Sequence, residues 1–429
     1  MDQKALTVIA PLRAQDSSSL EGLKTFLRGM GENPETNPQL PLGKSRLIHF
    51  CRFIVIDGVD VDTGDQDDPL LAFESNYDGD LDGHLREMID IGGPALDRIW
   101  GHCEGYPDGG VKDYPAFRSF IDQRSIPYEA FYIAYRGQTL EKVRQNTRIR
   151  ERIEKLLGMD QGASSLPYAS IRAEGLKEEP LLPVVKKPFS IDLNRIGLLA
   201  GLALLALAVA LYQWDPRLDY SLLALLVVFL LYLRLKEIMD PADPPTPFNG
   251  SGELVRVEDR IVQNQLTHIV RIKPGPLRFH LLRLVFWGIN LLAKICFNKG
   301  DLGGIPSIHF ARWVILRESR RVLFMSNFDG SWESYLGDFI DKANAGLTGV
   351  WSNTLNFPKT WFLVGLFQSG AAYEEEFKGW TRRHQIETQF WYSAHAQESV
   401  RNIFNNVAIR EGLEGTLSPT EAENWLARF

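Results

Sequence analysis

Residues 326–351 read SNFDGSWESYLGDFIDKANAGLTGVW, and residues 75–100 read SNYDGDLDGHLREMIDIGGPALDRIW. The match runs without a gap from 71–107 onto 322–358 at an offset of 251. It keeps Phe73/Phe324, Ser75/Ser326, Asn76/Asn327, Asp78/Asp329, Gly79/Gly330, Leu85/Leu336, Leu96/Leu347, Trp100/Trp351 and Pro107/Pro358. Upstream, IHFCRFIVI (48–56) matches IHFARWVIL (308–316) at an offset of 260, and the first copy has the longer connection, the acidic DGVDVDTGDQDDP beginning at Asp57. Downstream, AFYIAY matches QFWYSAH, pairing Tyr132 with Tyr392 and Ala134 with Ala394, and Ile149-Arg150-Glu151 matches Ile409-Arg410-Glu411. Separate blocks repeated in one order are a duplicated domain, and so long a period excludes a solenoid.

Periodicity within one copy gives its elements. ALTVIAPL, LIHFCRFIVI, LLAFESNY and YEAFYIAY are β-branched or aromatic runs that predict strands. SSSLEGLKTFLRGMG, LDGHLREMIDI and LEKVRQNTRIRERIEKLL carry helical periodicity, the second ending at Gly92-Gly93-Pro94. The order is β-α-β-β-α-β with an added helix, the split βαβ arrangement. The second copy repeats it through LTHIVRIKP, LRFHLLRLVFWGINLLAKICF, SIHFARWVIL, RVLFMSNF, a helix from Trp332, and TQFWYSA. The expected organisation is repeat 1 at 1–165, a linker at 166–194, an apolar hairpin at 195–236, a linker at 237–252, repeat 2 at 253–415 and a tail helix at 416–429.

With 429 residues, 45% hydrophobic and 24% charged, the chain is long enough for two or three cores. A formal charge of −7 and no dominant Lys/Arg block argue against a nucleic-acid partner. Cys51, Cys103 and Cys296 are scattered, which implies neither a disulfide framework nor a structural zinc and fits a reducing compartment. The opening MDQKALTVIAPLRAQ lacks the basic and apolar regions of a secretory signal. IGLLAGLALLALAVALYQW (196–214) and SLLALLVVFLLYL (221–233) read as a two-pass transmembrane hairpin. Lys186, Lys187, Arg195, Arg234 and Lys236 outside it then place both flanking domains in the cytoplasm of a multi-pass inner- or plasma-membrane protein. The helix at 277–297 is basic and aromatic, and reads either as lying in a membrane interface or as the buried first helix of repeat 2.

The repeated polar residues are the candidate site. Strict strand alternation puts His49 and His309 on a face with Cys51/Ala311 and Phe53/Trp313, and Arg52 and Arg312 on the other face with Ile48/Ile308 and Phe50/Phe310. A sheet apolar on both faces needs two covers, its own helices on one side and the other copy's sheet on the second. A buried guanidinium needs a carboxylate or carbonyl, and Asp78 and Asp329 just past the third strand are the expected partners. The same turn, SN(Y/F)DG, also reads plainly as strand-to-helix punctuation with an N-capping Asp. His268 and His309, on neighbouring strands, are a candidate pair for a metal or a haem iron, or else satisfied core histidines. Asn76, Asn327, Trp100 and Trp351 complete the repeated set as candidate ligand contacts. No GxSxG, Walker A, GxGxxG or HExxH occurs.

A tandem of such α+β units resembles the dimeric α/β-barrel superfamily of ferredoxin-like folds, which includes dye-decolorizing peroxidases and chlorite dismutases. The IHFARW…SNFDGSWESYL…GVWSN run also looks like a family of uncharacterised bacterial membrane proteins associated with peroxidase-type proteins. Ser75 to Gly79 and Ser326 to Gly330 are similar to the peroxidase GxxDG signature, with Ser where its first Gly stands. The resemblance implies two facing sheets in a pseudo-dimeric barrel, and haem as a possible cofactor with Arg312 and Asp329 in catalytic roles. The residues themselves support a membrane-anchored binding or accessory module, with an apolar cleft between the repeats for a small or lipid-like ligand or a partner protein. A haem-dependent peroxidase-type oxidoreductase and a structural membrane scaffold are the alternatives. Membrane lipid, a partner protein or a second copy are the expected partners.

Overall fold

The computed structural model describes residues 2–13, 17–159, 168–177, 216–240, 262–359 and 370–429, with isolated positions between 181 and 209. Its first half contains β1 (Gln3–Pro11), α1 (Ser17–Gly31), β2 (Ile48–Ile56), β3 (Leu70–Asp78), α2 (Leu81–Trp100), α3 (Tyr114–Arg124), β4 (Ala130–Ile133), α4 (Leu140–Met159) and α5 (Tyr168–Gly175). After α6 (Pro216–Met239) the second half follows with β5 (Gln263–Arg271), α7 (Pro276–Ile295), β6 (Ile308–Leu316), β7 (Arg321–Asp329), α8 (Trp332–Trp351), α9 (Glu374–His384), β8 (Phe390–Ser393), α10 (Val400–Glu414) and α11 (Pro419–Leu426). The protein is α+β, with two antiparallel four-stranded sheets ordered β1-β3-β2-β8 and β4-β6-β7-β5.

The fourth strands are exchanged between the halves. β8 pairs with β2 through Phe50/Ser393 to Phe53/Phe390, and β4 pairs with β6 through Ile133/Phe310 to Ala130/Trp313. The exchange is reciprocal beyond the strand ends, where the Ala394 amide donates to the His49 carbonyl at 2.9 Å and the Ala134 amide to the His309 carbonyl at 3.0 Å. β2 and β6 are buried along their whole length, so an unpaired edge there would strand peptide groups away from water. Each half therefore completes the other's sheet.

The two sheets lie face to face. Ile9, Ile54, Ile56 and Ala72 of one meet Val314, Leu316, Leu323 and Met325 of the other, and each fully buried Leu or Ile contributes about 1.5–3 kcal/mol. The outer faces are covered by helices, with Leu23, Leu27, Leu85 and Leu96 on the first sheet and Leu282, Phe286, Leu336 and Phe339 on the second. α2 does not stop at Gly92 but continues to Trp100 across a kink with Gly92 at φ −159°, and α8 bends at the equivalent Ala343. At Gly92 a side chain would meet Leu40 at 2.5 Å, so the close approach of that loop explains the glycine. The repeated Ile149 and Ile409 blocks are where α4 and α10 pack together, with Ile153 and Leu413. The long acidic connection of the first half reaches across to the second. Asp60 pairs with Arg271 at 2.8 Å and Arg321 at 3.3 Å, and Asp62 with His384 at 2.9 Å.

The membrane hairpin expected from the sequence is corrected here. The first run, 196–214, lies for the most part outside the described residues. The second falls in α6, whose last turns carry Arg234, Lys236 and Glu237, and among the described residues no helix is long and apolar enough to cross a membrane. With it falls the multi-pass inner- or plasma-membrane localisation and the cytoplasmic placement derived from it. Instead, the end of α6 is fixed to the second half by a buried ion cluster. Glu237 takes Arg278 at 2.8 Å and Lys273 at 3.3 Å, and Asp240 also contacts both.

Candidate functional site

The repeated polar residues converge between the sheets because each second strand carries a bulge. The register of β2 against β3 slips between Ile48 and Phe50, and that of β6 against β7 between Ile308 and Phe310. A bulge adds one residue and turns the side chains beyond it. Ile48, Cys51 and Phe53 therefore pack under the helices of the first half. His49, Phe50 and Arg52 turn the other way, where Phe50 packs on His309, Phe310 and His395 and Arg52 reaches the opposite sheet. Strict alternation had separated His49 from Arg52; the bulge brings them to one face.

Each arginine crosses to the opposite sheet. Arg52 donates to the Ser326 carbonyl at 3.0 Å, Asn327 Oδ1 at 2.6 Å, the Leu266 carbonyl at 3.1 Å, and to Gln265 and Thr267. Arg312 repeats the pattern in reverse, donating to the Leu6 carbonyl at 2.7 Å, Thr7 at 3.0 Å, the Ser75 carbonyl at 2.9 Å and Asn76 Oδ1. Their carboxylate is not Asp78 or Asp329 but Glu74, which contacts Arg52 Nε directly and Arg312 Nη2 at 3.2 Å. Glu74 also accepts from Asn76 Nδ2 at 3.0 Å. The position equivalent to Glu74 is Met325, so two buried guanidiniums share one carboxylate. Burial lowers both arginines from their ordinary range, Arg312 to about 10, with Glu74 opposing the shift.

Asp78 and Asp329 have a different task. Asp78 Oδ2 faces His49 Nε2 at 3.1 Å and accepts the Leu140 amide at 2.7 Å; Asp329 faces His309 Nε2 at 2.7 Å and accepts the Val400 amide at 2.8 Å. Leu140 and Val400 open α4 and α10, so each aspartate anchors the positive end of the helix that follows an exchanged strand. The turn itself is capped by its neighbours, Asp80 for α2 and Ser331 for α8. Gly79 and Gly330, at φ 90° and 81°, supply the left-handed step between strand and cap.

Two residues that sequence reasoning left unassigned complete this centre. The Tyr135 hydroxyl lies 3.1 Å from His309 Nδ1 and 3.3 Å from His395 Nε2. An ionised carboxylate can only accept, so His309 Nε2 donates to Asp329, while the Tyr135 hydroxyl, which can both donate and accept, links His309 Nδ1 to His395 Nε2. Tyr135 and His395 occupy equivalent places in the two copies, immediately after Ala134 and Ala394. Burial, then His309 and His49, push His395 well below the ordinary histidine range; burial, then Asp329 and Asp78, push Tyr135 well above that of a tyrosine. His49, Arg52, Asn76, His309, Arg312 and Asn327 are 0–1% exposed. These six side chains are enclosed between the sheets.

His268 and His309 do not meet. β7 separates their strands, and His268 packs on the helix side against Trp351, Trp380 and His384 at ring separations of 4.9, 4.7 and 5.6 Å. Trp351 and Trp100 are likewise core residues under the helices, Trp100 against Phe53, Phe73 and Phe120. Neither predicted histidine fits a haem. His309 has a partner on each ring nitrogen, and His268, whose nitrogens have none among the described residues, borders a hollow of about 20 Å³ among Leu336, Trp351 and Trp380. Among the described residues no group of three or more His, Cys, Asp or Glu side chains could hold a metal ion.

Glu74 was missed because its counterpart is Met325, and a search for identities passes over a pair that differs. Only its place two residues before the repeated Asn76, on the strand opposite Arg52, could have marked it. Compared with known protein families, with curated proteins and with solved structures, the chain shows no significant match.

Proposed function

We propose that the protein is a non-catalytic binding or accessory module: two ferredoxin-like units of a pseudo-dimeric α/β-barrel type, closed on each other, that engages its partner through outer surfaces. The observation that carries this reading is the state of His309, buried, with Asp329 on one ring nitrogen and Tyr135 on the other. A haem ligand or general base needs a free nitrogen facing a space that substrate can enter. Arg312 is equally committed, to carbonyls and amide oxygens of the facing sheet and to Glu74. The duplicated constellation then serves as an internal weld that holds an outer surface rigid.

The test is a visible spectrum of the purified full chain during titration with haemin, followed by peroxide. The module reading expects no Soret band that depends on His309 or His268 and no peroxide turnover. A stoichiometric Soret band lost in His309→Ala or His268→Ala, or peroxide turnover lost in Arg312→Lys, overturns it.

A further inference from the structure

α7 has two faces. Leu282, Phe286 and Ala293 are buried against the second half, and Trp313 packs 6.0 Å from Phe286. On the opposite side Leu284 is 61% exposed, Trp287 64% and Leu291 42%. Their spacing of three and four residues keeps them in one stripe. Arg283 and His280 are exposed at one end of that stripe and Lys294 at the other. α7 contains no acidic residue, and on its exposed face Arg283 lies 3.6 Å from Glu129.

The chemistry of the stripe is specific. A large apolar patch on a water-facing helix marks an interaction surface. A tryptophan amid leucines with cations at both ends, on a helix that carries no carboxylate of its own and with Glu129 reaching only Arg283, matches the boundary of a lipid layer, where the indole sits at headgroup depth and the cations meet phosphates. The first turn of α7 is also fixed: Arg278 is held by Glu237 and Asp240 at the end of α6. α6 also exposes Leu235 and Ile238 on either side of Glu237.

We infer that the exposed stripe of α7, Leu284, Trp287 and Leu291 with Arg283 and Lys294, is a docking face for an anionic lipid surface, on which the protein lies from one side without spanning it. This deepens the proposed module by naming its partner, and it rests on that reading.

The experiment is flotation of the full chain with phosphatidylcholine vesicles, and with the same vesicles containing phosphatidylglycerol. Wild type should float with the anionic vesicles, less with the zwitterionic ones, and less as salt is raised. The surface variant Leu284→Gln/Trp287→Gln/Leu291→Gln should keep its thermal melt and lose binding by about tenfold or more. Arg283→Gln/Lys294→Gln should remove the preference for anionic vesicles. The proposal falls if wild type floats with neither, or if the triple variant floats as well as wild type, which would move binding to α6 or elsewhere. It also falls if the triple change abolishes a dimer and not vesicle binding, because the stripe would then be covered by a second copy. A Soret band in the haemin titration would instead sink the module reading while leaving vesicle binding to be judged on its own result.

Discussion

Replacing Glu74 with Gln removes the one carboxylate between Arg52 and Arg312 while keeping the shape and an oxygen that Asn76 can still bond. Glu74 is 1% exposed and the two arginines 0% and 1%, so water cannot take over the lost charge. Removing one partner of a buried ion pair costs about 3–5 kcal/mol, and here the change leaves two like charges facing each other. Against a total stability of about 5–15 kcal/mol this is a large fraction. Urea unfolding at pH 7, followed by circular dichroism and by tryptophan fluorescence, measures it. Adding Arg312→Met to Glu74→Gln should restore about 1–2 kcal/mol, because the remaining arginine no longer faces a second cation. A Glu74→Gln protein within about 1 kcal/mol of wild type, or a double variant that loses the sum of the single losses, would refute the argument.

His268 is buried in an aromatic cage, and burial, then His384, hold it well below its ordinary value of 6.5. A histidine with a depressed folded value takes up protons only in the unfolded chain as pH falls below 6.5, so stability should drop between pH 7 and 5. In His268→Phe that slope should be shallower by up to about 1.4 kcal/mol per pH unit, and identical slopes for the two proteins would contradict the burial argument. A fragment of residues 1–165 carries β4 without β6 and β2 without β8. It should self-associate by size-exclusion chromatography, and a monomer with a sharp melt would show that the exchanged strands are not required.

What could be read from the chain follows from what is local. β2 and β3 announce themselves through runs such as FIVI and LLAF, and the copies at 308–316 and 321–329 repeat them. α10 and α11 also open on signals that are local, Ser399 for α10 and the Ser418/Glu421 capping box for α11. The exchange of β4 and β8 was not legible, because strands of only four residues, AFYI and FWYS, look the same whichever sheet receives them. The bulges at His49 and His309 were hidden by otherwise regular strand sequences, and they put each histidine on the same face as the arginine three residues on. α3 and α9 were passed over, although Asp113 caps α3 with a proline in its first turn and α9 opens on Glu374, Glu375 and Glu376. The repeated Asp, Arg, Asn and His were recognised as a set, but which partner each takes depends on a contact between strands more than 200 residues apart, such as Arg52 with Asn327.

The claim on which the account rests is that the His309 centre is closed to solvent, and histidine modification of the native full chain by diethylpyrocarbonate, mapped by mass spectrometry, tests it directly. His280 is exposed and His102 half-buried, whereas His49 and His309 are 0% exposed and His395 8%. His280 should be modified first and His102 next, with His49, His309 and His395 protected until the protein is unfolded in urea. Modification of His309 in the folded protein at the rate of His280 would contradict the account, because it would mean that a reagent, and therefore a ligand, reaches the centre between the sheets.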